Sequence, residues 1–155
     1  MKFIPLTNSP FHAIVDDLDY DKVKDFTWYA WSIHNCTYAR SNKGEMMHVV
    51  VYDRDGVQRD HADRNGLNNS RDNLRTCTES ENRINSPKRK DNWSGYKGVY
   101  WAGWASLWCA ELHKNGKRVH RSYHKTIEAA AHAYDKAALQ HFGAYAFTNF
   151  PVVIA

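Results

Sequence analysis

The sequence predicts an α+β protein built in three consecutive parts. A β-rich N-terminal segment leads into a strand–turn–strand–loop–helix unit, and a three-stranded antiparallel sheet packed on one helix follows. Three observations predict it. Short runs of β-branched and aromatic residues alternate with polar turns through the first half. A capping box, Thr78-Glu79-Ser80-Glu81, marks a helix start. After Thr126, apolar residues recur at helical spacing (Ile127, Ala130, Ala131, Tyr134, Ala138) until Gly143 supplies a stop.

In chain order, Phe11–Val15 predicts a strand, and Tyr20–Phe26 a single short helix after the acidic turn Asp16-Asp17-Leu18-Asp19. Thr27–Trp31, Thr37–Arg40 and Met46–Tyr52 predict strands, with His48 on the last of these. Asp55-Gly56 is a hairpin signal, which would place Asp60-His61 on or just after a returning strand. Leu67–Leu74 is polar and turn-rich, so a loop is expected there. Helix begins near Glu79, and its Asn82 and Asn85 share one face at i, i+3. Residues 86–94 combine a proline, a basic cluster and small polar residues, the composition of a connector. Tyr96–Trp101, Leu107–His113 and Arg118–Tyr123 predict three strands, the last two joined at Asn115-Gly116. The expected organisation is therefore a module over 1–85 with its core at about 46–85, a basic linker over 86–94, and a second module over 95–151.

A chain of 155 residues is long enough for one domain or two small modules. The net charge of +4 is unevenly distributed: residues 1–85 carry 11 Lys/Arg against 13 Asp/Glu, whereas residues 86–125 carry 9 against 2. A local cationic stretch interleaved with aromatics suggests a polyanion partner, most simply nucleic acid. Cys36, Cys77 and Cys109 are widely separated, so neither a zinc knuckle nor a disulfide scaffold is indicated. The first residues have too short an apolar run for a signal peptide, and no stretch is suited to spanning a bilayer. A soluble cytoplasmic setting without membrane association is expected.

The richest chemistry lies in residues 60–85. Asp60 offers an anionic oxygen and Asn82 a carboxamide oxygen, both suited to a divalent cation such as Mg2+ or Mn2+ that also keeps positions for phosphate and water. His61, beside Asp60, can accept a proton from water near neutral pH. Asn73 or Asn69 would hold the intervening loop and orient His61 through a backbone carbonyl. A base to activate water and a cation to neutralise phosphate charge are the two requirements of phosphodiester hydrolysis.

These residues resemble the HNH, or ββα-metal, nuclease motif. Asp60-His61, Leu67-Asn68-Asn69, Asn73-Leu74-Arg75, Glu81-Asn82 and Asn85 look like the variant with asparagine at the third position, known from bacteriophage homing endonucleases. The resemblance implies Asp60 and Asn82 as metal ligands, His61 as the base and Asn73 as the middle HNH residue. Ala13–Tyr20, Trp28-Tyr29, Tyr38-Ala39-Arg40 and Met47-His48 are also typical of these phage proteins, although Val49 stands where many relatives carry arginine. His48, Asn69 and Asn85 are secondary candidates.

The C-terminal module resembles the plant ethylene-response-factor (apetala-type) DNA-binding domain. The resemblance is carried by Ser94–Val99, Trp108–Leu112, Thr126 with Glu128–Ala138, and Gly143–Pro151. It implies a sheet lying in the major groove of double-stranded DNA, with Lys97, Tyr100, Trp104, Glu111, His113, Arg118 and His120 as its readers. Period-two spacing would put Glu111 with His113, and Arg118 with His120, on one face. Together these features point to a metal-dependent HNH DNA endonuclease of homing type. A monomer would nick, and a homodimer could cut both strands. A sequence-specific DNA-binding regulator with an inactive nuclease module is the alternative, and an RNA-binding module a weaker one.

Overall fold

A computed structural model describes residues 1–33 and 36–152. The chain is α+β and packs as two compact units, Met1–Cys77 and Thr78–Ala155. No helix among the described residues is long and apolar enough to cross a membrane.

The first unit is assembled from three two-stranded antiparallel pieces. Strand β1 (Lys2–Pro5) pairs with β2 (His12–Val15), β3 (Trp28–Ile33) with β4 (Cys36–Ser41), and β5 (Arg59–His61) with β6 (Leu74–Thr76). A 3-10 turn (Asp17–Asp19) runs into the short helix α1 (Tyr20–Val23). Ladders this short are marginal alone. They are held by one shared core in which Ala13, Val15, Val23, Trp28, Met47 and Val51 are buried. The Trp28 indole N–H finds the carbonyl of Val23 at 2.9 Å, so burying the ring leaves no donor unsatisfied. Asp19 is fully buried and takes a bidentate pair from Arg71 (Nε and Nη2, both 2.7 Å). Burial alone would raise its carboxyl; hydrogen bonds and charge from Arg71, then Lys22, more than offset this and hold it below the usual range.

Two expectations for this unit are corrected. Met46–Tyr52 is not a strand: Met47–Val51 forms helix α2. Its β-branched run suits either state. Spacing decides, because i, i+3 and i+4 bury Met47, Val50 and Val51 on one side. His48 therefore lies on a helix. The expected hairpin at Asp55-Gly56 does not form either. Gly56 turns at positive φ (75°), but β5 pairs with β6 across the loop 62–73 rather than with the segment before it.

The second unit contains α3 (Glu79–Asn85), the antiparallel sheet β7 (Val99–Ala102), β8 (Leu107–Lys114) and β9 (Lys117–His124), and α4 (Ile127–Phe142). The strands lie in the order β7-β8-β9, and α4 packs across them. The α3 capping box forms as the sequence predicts: Thr78 Oγ1 accepts from Glu81 N–H, and the Glu81 carboxylate accepts from Thr78 N–H. Thr126 caps α4 through Ala129 N–H, and Gly143, at φ 52°, ends it. Alanines 130, 131, 137 and 138 let the helix approach the sheet closely, with Tyr134 buried among them.

The contacts place the division between units earlier than the composition-based boundary at 85, because α3 groups with the sheet. Ile84 is buried in the sheet–helix core, Asn115 N–H donates to Ser80 Oγ (3.1 Å), and Phe147 N–H donates to the Ile84 carbonyl. The Lys97 ammonium closes the C-terminal end of α3 by donating to the carbonyls of Arg83, Ile84 and Ser86. Cations are favoured at that end of a helix. The connector 86–94 is tied down too, through Lys88 Nζ to the Gly95 carbonyl and Trp93 against Trp108 at 5.5 Å.

Candidate functional site

In the first unit the loop 62–73 holds His61 by a chain of carboxamide bonds. Asn73 Oδ1 accepts from Asp63 N–H (2.9 Å), and its Nδ2 donates to the Asn68 carbonyl (2.7 Å). Asn73 thus braces the loop rather than touching the imidazole. Asn69, fully buried, is anchored by its backbone N–H on the Ile14 carbonyl and by its Nδ2 on the Leu67 carbonyl. That second bond fixes which end of the carboxamide faces His61. Oδ1 lies 3.3 Å from His61 Nε2, a contact that suits an Nε2–H donor.

The rings of Tyr38 and His48 also flank it: His48 lies edge-on to His61 at 5.3 Å, and Tyr38 at 5.8 Å. Burial pushes His61 below its ordinary value, although the Asn69 bond and the charge of Asp60 pull the other way. His48 is pushed down to about 4, by burial first and then by His61. Both imidazoles are neutral at pH 7. Asp60, also buried, is paired with Arg75 across the β5–β6 ladder (Oδ2 to Nη2, 3.0 Å). Among the described residues no three His, Cys, Asp or Glu side chains converge as a metal-holding group. Asn82 and Asn85 lie on α3 in the second unit, Asn82 half-buried and Asn85 buried.

Gly66 lets the loop lie flat on this cluster. A β-carbon there would sit 2.5 Å from the Thr37 carbonyl oxygen and 2.6 Å from the Tyr38 ring. Gly66→Ala is expected to cost about 1–3 kcal/mol of first-unit stability through overpacking. Denaturant titration followed by tryptophan fluorescence checks this, and an unchanged midpoint would contradict the close approach.

In the second unit the outward face of the sheet carries the polar cluster. Register puts Tyr100 beside Cys109, Glu111 beside Arg121, and His113 beside Arg118 on that face. Glu111 Oε2 accepts from Arg121 Nε (2.8 Å), Arg121 Nη2 (2.6 Å) and the Tyr100 hydroxyl (3.2 Å). Arg118 Nη1 lies 3.9 Å from the same oxygen, and His113 Nε2 lies 3.6 Å from Oε1. Burial alone would raise the Glu111 carboxyl, but the Arg121 bond and charge hold it below the usual range. Trp104, in the β7–β8 turn and 80% exposed, meets Tyr123 edge-on at 5.3 Å beside this cluster.

Of the residues expected on this face, Tyr100, Glu111, His113 and Arg118 are brought together, and Trp104 stands at the margin. His120 is a correction to the single-face expectation. The register shifts at Leu112/His113, so Arg118 pairs with His113 while His120 pairs with Leu112, leaving Val119 as an extra residue. This bulge turns His120 to the helix-packed side, where its Nε2 meets Ser122 Oγ at 3.0 Å. Lys97 is occupied at the end of α3. Arg121 and Tyr123 take outward positions that sequence reasoning missed, because nothing in the residue pattern announces the bulge. Tyr38 was visible as part of a motif, but without a position relative to His61.

Protein 3.8 of Escherichia phage T7 is 30% identical over 104 residues, which cover 63% of this chain and 86% of the phage protein. This chain belongs to the Protein 3.8 family. An AP2-like ethylene-responsive transcription factor of Arabidopsis thaliana is 39% identical over 64 residues, 41% of this chain but 14% of the plant protein. That is the plant family whose pattern residues 94–151 resemble. No protein-family model and no solved structure matches the chain, so the HNH resemblance rests on the residues alone.

Proposed function

We propose that the protein binds duplex DNA through the outward face of the β7-β8-β9 sheet. The observation that carries this reading is the arrangement of two arginines and a histidine around one carboxylate, edged by Tyr100, Tyr123 and Trp104. Such a face is net cationic, flat and rich in groups that hydrogen-bond base edges. The charge asymmetry supports it, since the sheet and connector hold most of the chain's basic excess. A groove of about 660 Å³ shares Glu111 and His113 with the face and is lined by Arg83, Lys88 and Arg89, a route for a phosphate backbone. The similarity to the plant transcription factor points the same way.

Binding should weaken steeply with salt, because each neutralised phosphate releases condensed counterions. Replacing Lys88 and Arg89 together by alanine is expected to lower the slope of log K against log salt by about 2, roughly 0.9 per lost contact. Fluorescence anisotropy on a labelled duplex between low and moderate salt measures it. Absence of duplex binding, or a salt-independent affinity, would overturn the assignment.

A second reading, phosphodiester hydrolysis in the first unit, is favoured by one observation: His61 is buried with its Nε2 3.3 Å from Asn69 Oδ1. A buried neutral imidazole held by Asn69 is in the protonation state needed to take a proton from water. The Asp60 carboxylate has the hard oxygen chemistry that Mg2+ or Mn2+ prefers, and Arg75 now holds that oxygen. Such an ion would supply charge neutralisation at the scissile phosphate. Incubation of the whole chain with supercoiled plasmid and Mg2+ or Mn2+ is expected to yield nicked circles. His61→Ala should slow nicking by about 10²–10⁴-fold. No nicking with either ion, or full activity in His61→Ala, would leave DNA binding as the function.

A further inference from the structure

The sheet face contains a carboxylate at the position where a base reader is expected, yet its geometry suits another task. Glu111 Oε2 already accepts three donors from Arg121 and Tyr100, and Arg118 and His113 stand next in line. An ionised carboxylate has about four acceptor sites in all. To take a cytosine amino group, Glu111 would have to release partners that compensate its charge in a half-buried setting. The guanidinium opposite is differently placed. Two of the five N–H groups of Arg121 engage Glu111, and the side chain is 35% exposed on the outward face. It owes that orientation to the bulge at Val119. An unbroken ladder would have presented His120 and Ser122 there instead.

We propose that Arg121 is the main specificity-determining side chain of this face, and that Glu111 is a positioning residue that aims Arg121 and Arg118 at the groove. The inference rests on the reading that the face binds duplex DNA. The ligand feature it names is a guanine edge, whose two acceptors match a guanidinium held in a fixed plane. A carboxylate that clamps one side of the fork removes the rotamer freedom an exposed arginine would otherwise lose on binding. It also subtracts one charge from a cationic face, which restrains binding to phosphate alone.

The test uses the full chain, a duplex library to find the preferred site, and anisotropy on that site and a scrambled duplex. Arg121→Lys keeps the charge and loses the fork. It is expected to lower the ratio of preferred to scrambled affinity by about tenfold or more. Glu111→Gln should tighten scrambled binding while flattening preference at several base pairs at once. The swap Arg121→Glu with Glu111→Arg keeps an Arg–Glu pair across the two strands, and should abolish the original preference. A ratio retained in Arg121→Lys or in the swap would reduce the pair to a fold contact and overturn the proposal. So would a Glu111→Gln variant that changes preference at one base pair alone, since that outcome makes Glu111 the reader. Wild-type protein that binds no duplex at all would sink the DNA reading itself, and this inference with it.

Discussion

Gly98→Ala is expected to unfold the second unit at physiological temperature or come close to it. The glycine sits at φ 70°, and an added β-carbon would lie 2.0 Å and 2.1 Å from two carbons of the Tyr134 ring. Tyr134 is 2% exposed in the middle of α4, so the ring has no room to retreat without lifting the helix from the sheet. A left-handed conformation costs a non-glycine residue about 1–2 kcal/mol, and overpacking a dense core about 1–3 kcal/mol more. The sum, about 2–5 kcal/mol, is a large part of the stability of a small domain. At about 4–8 °C per kcal/mol the melting temperature should fall by at least about 10 °C. Thermal melts monitored by near-ultraviolet dichroism, where Trp93, Trp101, Trp104 and Trp108 report on this unit, measure it. Combined with Tyr134→Ala, the loss should be smaller than the sum of the two single losses, a coupling that independent sites would not show. A Gly98→Ala protein that melts with the wild type would mean the strand and helix are not so close.

The second large effect is a loss of first-unit stability between about pH 6.5 and 4. His48 has an ordinary pKa of 6.5 when unfolded, and burial lowers it to about 4 in the fold. The folded state thus favours the neutral ring. Its contribution is fully present above pH 6.5 and is lost as the unfolded chain gains a proton that the folded chain refuses. Two and a half pKa units at 1.36 kcal/mol each give about 3 kcal/mol, and His61, shifted in the same direction, adds to it. Asp19 also weakens the fold in acid, but its ordinary carboxyl value of 3.8 puts that loss below this window. Urea midpoints for the first unit at pH 7 and pH 4.5 should differ clearly, and His48→Gln should narrow the gap. Equal midpoints would show that these rings are solvated.

The second unit was largely legible in the sequence because its signals are local. Asn115-Gly116 names a turn, Thr126 a cap, and the alanine-rich run a helix face that can approach a sheet closely. The capping box at Thr78 was legible for the same reason. The first unit resisted where local signals were ambiguous. Met46–Tyr52 is short and β-branched, and only tertiary burial of Met47, Val50 and Val51 makes it helical. Strand β1 gave no pattern, and β6 lies in a polar stretch whose pairing partner is a loop away. The histidine pocket was half visible. Asp60, His61, Asn69 and Asn73 stood out by chemistry, but which asparagine touches the ring depends on where the loop crosses β2. On the sheet, alternation gave Glu111 and His113 correctly and failed at Val119, since one inserted residue reverses every side chain beyond it.

The way Lys97 and Ile84 bind α3 to the sheet fixes how the protein can be dissected. A fragment begun at Ser94, where the plant-like pattern starts, would delete three carbonyls that receive an ammonium and the Ile84 side chain buried in the sheet–helix core. It would expose an oily notch and a displaced cation at the mouth of the basic groove, and its behaviour on nucleic acid would misrepresent the parent. A soluble recombinant version of that half should start no later than Thr78, so that the short helix travels with it.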